Sequence, residues 1–162
     1  RDDFKQYPRN IRKDIAILEK LNVEYLFTPN TKDIYKFKAK KFNLKYKDKI
    51  LCAKYRIGHF EGVLNVMNRL MTIINSKDLY MGEKDYQQLY LVKKFLSKKF
   101  KVRINSCPTI RINNIALSTR NKLLKKKSIK KASEIALFLK KVKYKSKLLL
   151  SNRLLVSQFL YL

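Results

Sequence analysis

Apolar residues fall at helical spacing in four runs, with short strand-like bursts between them, so the chain reads as alternating helix and strand. Residues 10–21 predict a helix with Ile11, Ile15, Leu18 and Leu21 on one face, entered through Tyr7-Pro8, a pair that would end any preceding helix. Glu24 to Thr28 predicts a short strand stopped before Pro29, and the alternation over residues 36–50 predicts strand or hairpin structure with one wet face. From Gly62 to Asn75 the stripe Val63, Val66, Met67, Leu70, Met71 and Ile74 predicts a core-facing helix. Asp78 to Met81 reads as a buried strand, Asp85 to Lys98 as a helix carrying Leu89, Val92, Phe95 and Leu96, and Val102 to Ser106 as the next strand. Such an alternation implies an α/β fold with right-handed crossovers. A boundary is expected near Thr109, giving domains 1–109 and 110–162. Beyond it Ser128 to Val142 predicts an amphipathic helix, with Ser128 as N-cap and Ile129, Ala132, Ile135, Leu139 and Val142 inward. No glycine follows Gly82, so later turns must use Asn, Ser or Lys, and Asn113-Asn114 suits the left-handed conformation.

Charge changes this picture less than its size suggests. The 162 residues carry 39 Lys and Arg against 12 Asp and Glu, a formal net charge of +27 with pI near 10.2. Such a balance ordinarily points to nucleic acid or an anionic surface. However, the excess is mostly lysine, spread along the chain among Ile, Asn, Tyr and Phe, a set with A+T-rich codons; drift in base composition explains it without a partner. The lysine clusters at 36–49 and 122–131 keep a basic nucleic-acid-binding module as an alternative reading. Cys52 and Cys107 lie far apart with no Cys-x-x-Cys and no histidine at metal spacing, which argues against a metal site and for free thiols in a reducing cytosol. The longest apolar tract, residues 148–162, is interrupted by Asn152 and Arg153 and is too short and polar to span a bilayer; no signal peptide is expected either.

Candidate chemistry sits in two runs. Gly82-Glu83-Lys84-Asp85-Tyr86-Gln87-Gln88-Leu89 occupies the turn between a strand's carboxyl end and a helix, where an α/β sheet binds anions with helix N–H groups. There a glycine would let phosphate approach the backbone and Lys84 would supply a mobile charge. The second run, Leu117-Ser118-Thr119-Arg120-Asn121, adds two hydroxyls and a guanidinium. Each has a plainer alternative: a lysine in a turn is ordinarily solvated, Gln87 and Gln88 ordinarily face water, and Ser-Thr before a helix ordinarily caps it. His59 reads as a structural hydrogen-bonder, and Arg56 suits either an acidic ligand or a surface pair.

Taken in order, "DDFKQYPRN" at 2–10, "RIGHFEGV" at 56–63, "GEKDYQQL" at 82–89, "CPTIR" at 107–111 and "ALSTRN" at 116–121 resemble the pantothenate synthetase family, also called pantoate-beta-alanine ligases, over residues 2–124. The resemblance implies a Rossmann-like, nucleotidyltransferase-type parallel sheet, incomplete here, followed by a small, truncated C-terminal lid domain. It also implies that this is an internal or truncated piece, because the family's N-terminal His-x-Gly-His segment is not found and His59 is the only histidine. The implied reaction condenses pantoate with beta-alanine through a pantoyl adenylate, releasing pyrophosphate and AMP in the cytoplasm, with ATP and Mg²⁺ and a homodimer when full length. By the same resemblance Lys84, Ser118, Thr119 and Arg120 are catalytic. Gly82, Glu83, Lys84, Asp85, Ile110, Leu117, Ser118, Thr119 and Arg120 bind ATP, and Gln88 binds pantoate. No protein-held metal, specific nucleic acid or membrane is implied. This piece alone is expected to be inactive, and a catalytically decayed remnant is the alternative. Departures from the family pattern are Cys52 for a usual glutamate, Ile57 for a usual proline, Thr119 for a second serine, and a segment before Leu117 that lacks Asp-Gly and is one residue short.

Overall fold

Leu64 on one helical run and Leu91, Val92 and Leu96 on another are almost wholly removed from solvent, and the fold around the candidate site is built on them. The computed structural model describes residues 10–36, 38 and 41–149, with the side chains of 144–149 left aside. In chain order the helices are α1 (Ile11–Lys20), α2 (Thr31–Tyr35), α3 (Cys52–Tyr55), α4 (His59–Ile74), α5 (Tyr86–Phe100) and α6 (Lys126–Leu149). The strands are β1 (Asp78–Gly82), β2 (Arg103–Cys107), β3 (Arg111–Ile112) and β4 (Ile115–Ala116). The chain divides into two compact units, Leu26–Pro108 and a second that combines residues 10–25 with 109–149.

In the Leu26–Pro108 unit, β1 and β2 pair in parallel, Asp78 opposite Arg103 through Gly82 opposite Cys107. A parallel pair needs a crossover, and α5 supplies it, packing against α4 and the strands. The core gathers Leu44, Phe60, Leu64, Met71, Leu89, Leu91, Val92, Leu96, Val102 and Ile104. The register is pinned at its open end, where Arg103 donates Nε to Asp78 Oδ1 at 2.5 Å and Nη2 to Oδ2 at 3.0 Å, and Asn105 adds a donor at 2.9 Å. That bidentate contact, with Asn105, lowers the Asp78 carboxyl to about 2. Helix α4 starts three residues earlier than the stripe suggested, from Gly58 in the left-handed region at φ 75°, where a side chain would be strained. Both long helices end on left-handed residues, Asn75 at φ 48° and Lys101 at φ 50°, so asparagine and lysine stand where glycine is usual.

Two strand expectations fail. Glu24 to Thr28 forms no strand and has no ladder partner among the described residues, and Val23, Tyr25, Leu26 and Phe27 are exposed. Over the described part of 36–50 the alternation serves packing instead of a ladder. Leu44 is buried, the Phe42 N–H donates to Asn65 Oδ1 at 3.1 Å, and buried Asp48, in the 3-10 turn Tyr46–Asp48, accepts from Lys94. Side chains of helices α4 and α5 thus take the contacts that a neighbouring strand would otherwise provide.

In the other unit, α1 lies inside the expected span 10–21, and Asn10, expected within the helix, is its cap, the Oδ1 accepting from Lys13 N at 3.1 Å. Strands β3 and β4 form a hairpin closed by Asn113 at φ 49° and Asn114 at φ 65°, a two-residue turn of the I′ kind. Helix α6 begins at Lys126, so Ser128 lies inside its first turn and does not cap it. Its inward face is Ile129, Ala132, Ser133 and Ala136, with the Ser133 hydroxyl donating to Asn113 O at 2.6 Å. Ile135, Leu139 and Val142, expected inward, are about half exposed. The apolar tract at 148–162 and the segment 2–9 lie outside the described residues or side chains.

Candidate active site

Strand β1 ends at Gly82, and the next three residues form a 3-10 turn, Glu83–Asp85, that feeds directly into α5. The first motif therefore sits at a parallel strand's carboxyl end, in front of a fifteen-residue helix whose N–H groups point towards it. Gly82, Glu83, Lys84 and Asp85 are all exposed, and Gln88 is half-buried one turn into the helix. At Gly82 the backbone has φ −71° and ψ 134°, ordinary extended geometry, so glycine is not needed there for conformation. A Cβ built on it meets no heavy atom within 4 Å; the space in front of this backbone is open.

His59 stands at the start of α4, half-buried, its ring edge-on to Phe60 at 4.9 Å between centroids. Burial, with the neighbouring Arg56 guanidinium, lowers its pKa below the usual histidine value, and the Asp85 carboxylate opposes that. The His59–Asp85 coupling puts the segment 56–59 within electrostatic reach of the 82–85 turn. Cys52 opens α3 and is exposed, as is Ile57, so the two departures from the family pattern leave the core untouched.

The second set lies in the other unit. Ile110 and Leu117 extend the β3–β4 hairpin by one step, the Leu117 N–H donating to Ile110 O at 2.9 Å, so the hairpin joins the two motif segments. The shortened segment closes through the Asn113-Asn114 turn and needs no Asp-Gly. Ser118 caps the 3-10 turn Thr119–Leu123, its Oγ accepting from Arg120 N at 3.3 Å, and Asn121 Nδ2 donates to Ala116 O at 3.0 Å. Ser118, Thr119 and Arg120 thus follow one another on a braced turn, with Thr119 and Arg120 both exposed. Within its own unit the fold carries Lys84, Asp85 and Gln88 on one strand-to-helix turn with His59 in electrostatic reach of Asp85, and within the other it pairs Ile110 with Leu117 just ahead of Ser118 to Arg120.

Gln87 has a role that sequence reasoning missed. It is half-buried, its Nε2 donating to Ile50 O at 2.7 Å and its Oε1 accepting from Ala53 N at 3.2 Å. No sequence signal marks those partners, because both are backbone atoms more than thirty residues away.

A parallel strand pair with its crossover helix, and a lysine-bearing turn at the carboxyl edge, define an α/β protein of the nucleotidyltransferase-like type. The family profile of Pantoate-beta-alanine ligase matches residues 1–158, and the chain belongs to that family. It is 40% identical over 139 residues to the pantothenate synthetase of Francisella tularensis subsp. novicida, covering 83% of this chain and 53% of that protein. Against the pantothenate synthetase of Clostridium botulinum the identity is 38% over 135 residues, 82% of this chain and 48% of that one. Among solved structures, pantoate-beta-alanine ligase from Francisella tularensis, complexed with beta-gamma ATP and beta-alanine, superposes with a TM-score of 0.78 at 40% identity, covering 86% of this chain and 55% of that one. The chain spans about half the length of the curated relatives it matches. Among the described residues no helix is long and apolar enough to cross a membrane.

Proposed function

We propose that the polypeptide carrying this chain is an ATP-dependent ligase that condenses pantoate with beta-alanine to pantothenate by way of a pantoyl adenylate. The observation that carries the reading is the Gly82–Asp85 turn at the carboxyl end of β1, in a chain of the pantoate-beta-alanine ligase family. The neighbouring Francisella structure, complexed with a nucleotide and beta-alanine, supports it.

In this reading the pantoate carboxylate attacks the α-phosphorus of ATP, pyrophosphate leaves, and the beta-alanine amine then attacks the acyl carbon, expelling AMP. Charge accumulates on phosphate oxygens in the first step, and the protein contributes positioning and fixed positive charge. Lys84 and Arg120 neutralise the phosphates, while Ser118 and Thr119 donate hydroxyl hydrogen bonds to them. Gly82, Glu83 and Asp85 line the nucleotide's approach; Ile110 and Leu117 offer it apolar and backbone contact. Gln88 holds pantoate through its amide. Mg²⁺ would be held by phosphate oxygens, which suits a hard cation that keeps much of its own water; among the described residues no three His, Cys, Asp or Glu gather to hold a metal. The C-terminal domain, residues 110–162, would act as a lid, and the assembled protein would be a cytoplasmic homodimer.

The test is isotope exchange between pyrophosphate and ATP. The reading expects exchange that requires pantoate and is independent of beta-alanine. Exchange without pantoate would overturn it, as would its absence when every substrate together yields no AMP. Salt-resistant nucleic-acid binding in place of turnover would favour the basic-module alternative, since adventitious lysine contacts vanish steeply with salt.

A further inference from the structure

The turn that leads into α3 is strained, and its brace is the side chain beside the proposed pantoate ligand. Leu51 has φ 50° and ψ −130°, close to the second position of a type II′ turn, a place that glycine fills and a leucine resists. Residues persist in such regions only when their surroundings over-determine them. Burial does not do so here, because the Leu51 side chain is exposed. The flanking peptides are held instead: Gln87 Nε2 donates to Ile50 O at 2.7 Å, and Gln87 Oε1 accepts from the Ala53 N–H at 3.2 Å, the same N–H that lies 3.0 Å from Ile50 O. One primary amide thus spans the turn from outside, using a donor and an acceptor in complementary positions.

The segment after the turn runs towards the site. The Lys54 N–H donates to Leu51 O at 3.1 Å, Arg56 N–H to Cys52 O at 2.9 Å, and His59 N–H to Arg56 O at 3.1 Å, so a relay of backbone bonds runs from the strained residue to the start of α4. Gln87 itself stands in the first turn of α5, two residues after Asp85 and one before Gln88. The brace therefore couples two chain segments at the site, 50–59 and 82–88, that no described strand ladder or disulfide joins.

We propose that Gln87 is a positioning residue: by clamping the Ile50–Ala53 turn around Leu51 it fixes Arg56 and His59 relative to the Lys84–Gln88 edge of the site. The functional half of this inference rests on the ligase reading, and the structural half does not. Gln87 needs no contact with substrate to act. Its effect passes through the backbone of 50–59.

Hydrogen exchange on the ligand-free polypeptide, compared among wild type, Gln87→Ala, Leu51→Gly and the double variant, tests it. Gln87→Ala should speed exchange at Ala53 and across 50–59 by about tenfold or more while leaving Val92 in the α5 core protected. Adding Leu51→Gly should return most of that protection, because glycine takes the turn's conformation without strain. Pantoate affinity, measured on the same four proteins, should fall by about tenfold in Gln87→Ala and recover in the double variant. Should Gln87→Ala fold poorly, Gln87→Glu serves instead, since it keeps an acceptor for Ala53 N–H and loses the donor to Ile50 O. Unchanged exchange at Ala53, or failure of glycine to rescue it, overturns the proposal. Weakened pantoate binding with unchanged exchange overturns it too, by making Gln87 a direct ligand. Altered and rescued exchange in a protein that binds no pantoate upholds the clamp and removes the ligase reading instead.

Discussion

Alanine at residue 82 separates what the fold requires from what a phosphate requires. The backbone there is extended, φ −71° and ψ 134°, and a Cβ would meet nothing within 4 Å. At such a compatible position Gly→Ala stabilises a protein by about 0.4–1 kcal/mol, because the unfolded chain has less freedom to lose. For a chain of this length that is a rise of about 1–4 °C in Tm. The methyl group projects into open space, and in the ligase reading that space admits the triphosphate. Pushing the phosphates off the backbone should weaken ATP by about tenfold, or ~1.4 kcal/mol. Thermal denaturation with and without nucleotide reads both effects. At an ATP concentration of about 100 times the wild-type Kd, wild type gains ~2.7 kcal/mol and the variant, bound tenfold more weakly, gains ~1.4 kcal/mol. A variant that is more stable without ATP and less responsive to it fits the account. Equal nucleotide-induced shifts in the two proteins would show that no phosphate approaches this backbone, and a lower Tm in the nucleotide-free variant would show the local geometry to be wrong.

Particular contacts set four further outcomes. Lys84→Ala should leave Tm unchanged, since the side chain is exposed, while slowing adenylate formation by about 10²–10³-fold, as loss of a transition-state charge contact does; pyrophosphate release in rapid-quench assays measures it. Asp78 has its pKa lowered to about 2 by Arg103 and Asn105, so its contribution is complete above pH 3.8 and is lost as pH falls towards 2. Asp78→Asn should therefore flatten the pH dependence of Tm in that window. His59 has a lowered pKa, so the unfolded chain binds the extra proton first and stability falls as pH drops below about 6.5; His59→Gln should remove that slope. In the hairpin, Asn114→Val should cost about 1–2 kcal/mol, since a β-branched residue resists φ 65°, whereas Asn114→Gly should be tolerated; denaturant titration compares them.

How much of this was legible beforehand differs by element. The helices at 62–75 and 85–98 were legible because Met71, Leu89, Val92 and Leu96 bury at the spacing their pattern shows, although the first stripe passed over fully buried Leu64 and included Ile74, which is about half exposed. The Asn113-Asn114 turn was legible because, without glycine, asparagine is the residue that tolerates left-handed geometry. The strand expected at 24–28 was not, since β-propensity describes fitness for a pleated surface and no described strand offers one there. Over the described part of 36–50 an alternating pattern serves contacts with helices, which periodicity cannot distinguish from a ladder. Helix α6 turned on Ser133 and Ala136, small residues that no hydrophobic stripe would single out. In the candidate site, motif alone proposes Lys84 and Arg120, whereas the hydrogen bonds of Gln87 were not legible, because its partners are main-chain atoms without sequence identity.

A crystal structure of the polypeptide with a non-hydrolysable ATP analogue tests the central claim most directly, since the two halves of the motif belong to separate units. The account predicts phosphate oxygens within hydrogen-bond distance of both Lys84 Nζ and the Arg120 guanidinium, with the nucleotide lying across the carboxyl end of β1. A nucleotide bound elsewhere, or phosphates that touch neither residue, would contradict it.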